Sequence, residues 1–152
     1  MGLQSLSVTV FAVLVLTACS TPVPLGDPAR SARLKEFPVK PGVGQVYVCR
    51  DGRDYGKRVR TSIELDGRII GEVSQSTFLY SEVPPGTHEV VAKSPEHDSR
   101  IKFDIAAGEQ KFFQTWLSIG AFSLWAIAEE IDAAAGKACV SGGNLAGAPA
   151  PN

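Results

Sequence analysis

The sequence predicts a mainly β protein, a small antiparallel β-sandwich with one C-terminal helix. Three observations point there. Residues 43–117 hold about seven short segments in which apolar and polar residues alternate, the mark of half-buried strands. The chain carries 15 glycines and 10 prolines in 152 residues, and several stand between those segments in turn-forming combinations. Beyond Leu117 the spacing of apolar residues changes from two toward that of a helix.

The chain opens on an apolar run, Val8 to Leu16, too short to span a bilayer as a helix. It reads as the core of a signal peptide covering residues 1–18. The run ends in Leu16-Thr17-Ala18-Cys19, which resembles the lipobox of bacterial lipoproteins. That resemblance implies a diacylglycerol group on the Cys19 thiol, cleavage just before Cys19, and a further acyl chain such as palmitate on the new N-terminus. Two or more chains anchor a protein stably where one does so only marginally. Ser20 resembles the pattern that permits export to the outer membrane. The expected location is therefore the periplasmic face of that membrane. The first five residues contain no Lys or Arg, which departs from the usual signal pattern. The alternative is an ordinary secretory signal cut at an A-x-A-like site, with Cys19 incidental.

Residues 19–42 read as a lipidated N-terminus followed by a Pro-rich tether, because Pro22, Pro24, Pro28, Pro38 and Pro41 interrupt any helix. Arg30, Arg33, Lys35 and Lys40 outnumber Asp27 and Glu36 here, so contact with anionic head groups is the second reading beside a solvated linker.

The sandwich domain is assigned to residues 43–140. Gln45-Val46-Tyr47-Val48-Cys49 is β-branched and aromatic, as a strand requires. Val59, Thr61, Ile63 and Leu65 alternate with polar residues, and Asp66-Gly67 then signals a type I′ hairpin leading into Arg68 to Val73. Thr77 to Val83 ends at Pro84-Pro85-Gly86, a turn in which proline presets one dihedral and glycine permits a positive φ. Strands follow around His88 to Ala92, Ile101 to Ile105 and Lys111 to Leu117.

The runs Val46-Tyr47-Val48, Leu65-Asp66-Gly67-Arg68-Ile69-Ile70-Gly71 and Val83-Pro84-Pro85-Gly86-Thr87-His88 resemble the DUF2846-type bacterial lipoprotein domain. They are similar more loosely to PEGA-like β-modules. The resemblance covers roughly residues 43–117 and implies an envelope lipoprotein with a β-sandwich and no catalytic residues. Its motifs are mainly turn chemistry, so they specify a fold better than an activity.

Leu124, Ile127, Ala128, Ile131 and Ala135 fall on one helical face, predicting a helix over 124–135 with Ser123 as cap and Gly136 as its stop. A strand is the alternative. Lys137 to Val140 is read as a short last strand, and residues 141–152 as a disordered tail.

Candidate chemistry is sparse. With Cys19 lipidated, Cys49 and Cys139 remain as a pair in an oxidising compartment, where a disulfide is expected; two free buried thiols are the alternative. Two histidines, His88 and His97, lie far in sequence from those cysteines, so no metal spacing and no cofactor motif emerges. His97 as a hydrolase base is the weakest functional class, since no nucleophile elbow accompanies it. The loop Arg50 to Arg58 carries Arg50, Arg53, Lys57 and Arg58 and is a candidate ligand loop for a glycan or lipid. Trp116, Phe122 and Trp125 lie in the most apolar stretch after residue 42 and are a candidate partner patch. A formal charge of −1 argues against a nucleic-acid partner. The sequence thus predicts a non-enzymatic structural or protein-binding module held to the outer membrane, with a glycan- or lipid-binding module as the alternative.

Overall fold

Gly44–Arg50 forms β1, and every one of its residues is buried. Such a strand must have a layer on each face, and it sets the architecture. In the computed structural model, which describes residues 23–52, 56 and 58–147, the element order is α1 (Pro28–Leu34), β1, β2 (Thr61–Leu65), β3 (Arg68–Val73), β4 (Thr77–Val83), β5 (Gly86–Ala92), β6 (Ser99–Ile105), β7 (Gln110–Ile119), β8 (Leu124–Ile131), α2 (Ala133–Ser141) and β9 (Asn144–Leu145). Two sheets form, ordered β8-β7-β1-β4-β9 and β3-β2-β5-β6. The fold is the mainly β sandwich with a C-terminal helix that the alternation predicts. Most neighbours are antiparallel, but β1 pairs β7 in parallel, as does β4 with β9.

Val46, Val48, Ile63, Val73, Val90, Phe103 and Phe113 fill the space between the sheets. The opposite face of the larger sheet has its own apolar cluster, in which Tyr47, Cys49, Phe78 and Phe112 meet Leu34, Val140 and Leu145. The two helices lie over this second core. The turn residues do what their chemistry implies: Asp66 and Gly67 both take positive φ, 52° and 75°.

Three expectations are corrected. The segment 124–131 is a strand, not a helix, paired residue for residue with β7. Its apolar residues satisfy both periods: Ala126 and Ala128 enter the inner core while Ile131 packs on the second cluster, so apolar positions occur on both faces. The helix begins later, where Asp132 accepts hydrogen bonds from the backbone N–H of Ala134 and Ala135. Lys137 to Val140 accordingly lies within α2 rather than in a strand. Gly136 is not the helix stop. A Cβ there would stand 2.3 Å from Phe112, so this glycine lets the helix sit directly on that ring.

Second, residues 23–42 are folded rather than a tether. Asp27 caps α1, and Pro28 stands at its first position, where a missing N–H costs nothing. Val23 and Leu34 are buried. Gln45, also buried, donates to the Pro38 carbonyl and the Tyr80 hydroxyl and accepts from the Lys40 N–H, which binds the segment to the sheet. Third, residues 141–147 are ordered. Asn144–Leu145 adds to the edge of the larger sheet, and Ala146 bridges to Leu25. The folded unit therefore takes in at least Val23 to Gly147, beyond both expected boundaries. Residues 1–22, including the signal peptide and Cys19, lie outside the described residues, as do 148–152.

Candidate docking surface at the hairpin end

The parallel pairing of β1 with β7 sends both strands to the same end of the sandwich, where the loop after β1 meets the β7–β8 hairpin. The loop lies against β7: Gly56 has φ 75° and a Cβ on it would stand 2.8 Å from Leu117. Asp51 accepts from the Gln114 amide at 2.9 Å.

At the hairpin turn the Gly120 N–H donates to the Ser123 carbonyl at 2.8 Å. Gly120 has no side chain because Trp125 fills that space, 2.6 Å from where a Cβ would be. Phe122 at the tip is 94% exposed, Ile119 71% and Trp125 37%. Trp125 is fixed on its other edge, where its indole N–H donates to the Glu96 carboxylate at 3.0 Å. Trp116 lies opposite Ile127, and Ser118 opposite Trp125. The two tryptophans are thus diagonal neighbours on one face, within roughly 8 Å. The structure brings together the three aromatic residues that the sequence singles out: Phe122 projecting, Trp125 anchored at its flank, and Trp116 half-buried further down the strand.

The basic loop fares differently. Arg50 is buried, and its guanidinium donates to the carbonyls of Val59 and Gly56 at 2.7 and 3.2 Å. It braces the loop from inside and is not a ligand contact, which corrects its expected role. Arg58 is exposed. Arg53 and Lys57 lie outside the described residues.

An edge strand invites pairing with other chains unless something covers it. β8 is such an edge, and two serines cover it, Ser94 of the β5–β6 connection and Ser99 at the start of β6. The Ala126 N–H donates to the Ser94 hydroxyl at 3.1 Å, and the Ala128 N–H to the Ser99 hydroxyl at 3.0 Å. Sequence reasoning misses this device, since neither serine sits in a recognisable motif. It leaves the hairpin's side chains, not its backbone, as the accessible feature. It also occupies the hydroxyls nearest His97: Ser94 donates to the His97 carbonyl at 2.5 Å, and no hydroxyl or thiol among the described residues bonds the His97 ring. That ring faces Trp125 with centroids 6.1 Å apart.

Cys49 and Cys139 form the disulfide, joining β1 to α2 with Cα atoms 6.2 Å apart. His88 is at the other end of the sandwich. Its Nδ1–H donates to Asp66 at 2.6 Å and its Nε2–H to the Pro84 carbonyl at 2.8 Å, so both ring nitrogens carry protons. Burial alone lowers the His88 pKa, but the Asp66 and Pro84 acceptors outweigh it and hold it above the ordinary value. Burial likewise opposes Asp66, yet the His88 and Glu89 donors keep its carboxyl below the usual range. This pair locks the Asp66-Gly67 turn to the Pro84-Pro85 turn. No group of three His, Cys, Asp or Glu side chains among the described residues has the geometry to hold a metal ion. No helix among them is long and apolar enough to cross a membrane.

Most of the sandwich falls within a match to a known family. The model described as "Protein of unknown function (DUF2846)" matches residues 40–123. The chain belongs to the DUF2846 family. The match takes in β1 to β7 and most of the hairpin turn, but neither helix. An uncharacterized protein of Haemophilus influenzae (strain ATCC 51907 / DSM 11121 / KW20 / Rd) is 29% identical over 135 residues, spanning 88% of this chain and 79% of that one. No solved structure matches the chain.

Proposed function

We propose that this DUF2846 protein is an outer-membrane lipoprotein, acylated at Cys19 and facing the periplasm, whose sandwich is a non-enzymatic protein-binding module. The observation that carries the binding role is the hairpin tip, where Phe122 is 94% exposed beside Ile119 and Trp125. Lone exposed apolar residues are ordinary, but Phe122 at the tip with Ile119 and Trp125 on the two faces behind it makes one turn an exposed apolar prominence, which marks a contact surface. Trp125 is already held in place by Glu96 and Gly120, so little conformational freedom is lost on binding. Arg58 on the adjacent loop supplies positive charge, which matches a partner offering an apolar cleft rimmed with carboxylates. The glycan or lipid reading of that loop is weakened because Arg50 is spent within the fold.

The test places a photo-crosslinking amino acid at position 122 in intact cells, with position 69 as control. Ile69 is also exposed, at 57%, but follows the turn at the opposite end. A discrete protein adduct from 122 that is absent from 69, and that weakens when Trp125→Ala is added, supports the reading. Burying a Phe side chain is worth about 1.5–3 kcal/mol, so Phe122→Ser lowers affinity for the captured protein roughly 10- to 100-fold. Equal adducts from both positions, or labelling of lipid alone, would overturn it. The anchor is tested by Cys19→Ala, which abolishes fatty-acid labelling and releases the protein from membranes; unchanged labelling and fractionation refute acylation at that residue.

A further inference from the structure

The start of the folded unit changes what an anchor at Cys19 does. Val23 is already buried against the inner core, so residues 19–22 are all that separate the acylated cysteine from a fixed point. Four residues span at most about 14 Å even when fully extended. A sandwich held that closely has no freedom to stand away from the bilayer. One of its surfaces must meet the head groups.

The strand register shows which end is held. Leu25 bridges Ala146, one residue beyond the pairing of Leu145 with Phe78. That level of the sheet is Leu79, Val48 and Phe113. Ile119 lies six residues further along β7, a distance of roughly 20 Å at ~3.3 Å per residue. The chain from Val23 to Leu25 also runs toward the hairpin end, so the segment before it departs from the other direction. The attachment point and the aromatic hairpin are therefore separated along the strands, and across the sheet by β4 and β1.

α1 packs against β9 and the second core, on the same edge as the attachment. Ser31 and Leu34 face inward, while Arg30 and Arg33 are exposed and Lys35 partly so. Lys137 of α2 joins them, standing over the Phe37 ring at 5.4 Å. Three carboxylates stand against these four cations: Asp27, turned onto the N–H groups of Ala29 and Arg30; Glu36; and Glu82, which feels the charge of Arg30 but is itself paired with Lys40 at 2.6 Å. Leu25, 47% exposed, adds an aliphatic side chain beside the attachment. Basic side chains near an aliphatic one and an acyl anchor fit an anionic phospholipid surface.

We propose that the surface built from Leu25, Arg30 and Arg33, with Lys35 and Lys137 at its margin, rests on an anionic bilayer when Cys19 is acylated, leaving the hairpin clear of the membrane. This inference rests on the lipoprotein reading and adds to it the orientation of the domain.

The experiment uses the full-length protein purified from membranes, its acyl mass measured first. It is reconstituted into vesicles of phosphatidylethanolamine with phosphatidylglycerol, into phosphatidylcholine vesicles, and into detergent micelles, and backbone hydrogen exchange is followed. Amides of residues 24–36 exchange about fivefold or more slowly on the anionic vesicles than in micelles, with a smaller effect on phosphatidylcholine. Amides of 119–124 exchange equally in all three. R30Q/R33Q loses most of the protection while remaining membrane-bound through its lipid. Protection at 119–124 with none at 24–36 overturns the proposal, as does identical exchange in vesicles and micelles. Absence of an acyl mass overturns both the lipoprotein reading and the orientation. An acyl mass with unprotected 24–36 overturns the orientation alone.

Discussion

Reducing the Cys49–Cys139 bond removes the covalent link between the central strand and the helix that covers it, without removing a side chain. The bond closes a loop of 90 residues. Chain-entropy arithmetic for a loop of that length gives about 4.6 kcal/mol at 25 °C, because the reduced unfolded chain recovers freedom the crosslinked one lacks. Single domains are stable by only about 5–15 kcal/mol, so the bond accounts for a large share of the total. With a urea slope of about 2 kcal/mol/M, the midpoint falls by roughly 2 M on reduction. The assay is urea unfolding of oxidised and reduced protein, followed in parallel by tryptophan fluorescence and far-ultraviolet circular dichroism. Trp116 and Trp125 report on the hairpin sheet, whereas α2 contributes to the dichroism. If the helix detaches before the sandwich melts, the two probes separate in the reduced protein and coincide in the oxidised one. A midpoint shift equivalent to less than about 1 kcal/mol would refute the reasoning, since a crosslink across so long a loop must then constrain an unfolded ensemble that is already constrained.

Two further predictions follow from the packing. Gly136→Ala sets helix propensity, worth about 1 kcal/mol in favour of alanine, against a Cβ placed 2.3 Å from Phe112. Overpacking on a buried ring costs about 1–3 kcal/mol, so the variant is destabilised in urea, and a stabilised variant would show that α2 does not rest on Phe112. The His88–Asp66 pair gives a pH profile with a definite sign. His88 is raised, so its contribution is complete below about pH 6.5 and is lost as pH rises through its folded pKa. Asp66 is lowered, so its contribution is complete above about pH 3.9 and is lost as pH falls through its folded pKa. The pair therefore stabilises most between those limits. A nuclear magnetic resonance titration of His88 with a midpoint at or below 6.5 would contradict the geometry, and His88→Gln flattens the alkaline side of the stability profile.

The strands of residues 43–117 were legible because each signal has a single structural cause. Asp66-Gly67 takes two positive φ values that most residue pairs avoid, and a one-residue slip in Ile101, Phe103 and Ile105 would turn the core face to water. The region after Leu117 was not legible because the strand there has apolar residues on both faces. Leu124, Ala126 and Ala128 serve the inner core and Ile131 the outer one, so no single period describes the segment. Proline misled in residues 19–42 because its effect depends on position: Pro28 starts a helix that it would have broken three residues later. Arg50 misled in the candidate site because arginine is seldom fully buried, and nothing local announces that two backbone carbonyls await its guanidinium. The aromatic patch was visible by residue type. Its exposure depends on the hairpin turn at Gly120, which the helical reading of the segment hid.

The second core explains why the two ends of the folded unit meet. Tyr47 stacks on Phe112 with centroids 5.1 Å apart, and Phe37 and Tyr80 pack around them. A sheet face so aromatic must be covered, and no strand remains to cover it. The cover comes from both ends of the chain, α1 with the Phe37 segment and α2 with β9. Burial, aided by Tyr80 and Glu82 nearby, pushes the Tyr47 phenol well above its ordinary pKa, and its hydroxyl turns to the Leu34 carbonyl in α1. Covering one face from both ends brings the ends together: Gly147 donates to the Pro24 carbonyl at 2.7 Å, and Gly26 to the Leu145 carbonyl at 2.8 Å. Whatever precedes Val23 is thereby fastened to the β9 edge of the sandwich. The hairpin belongs to the opposite edge and its far end, and it takes no part in the cover.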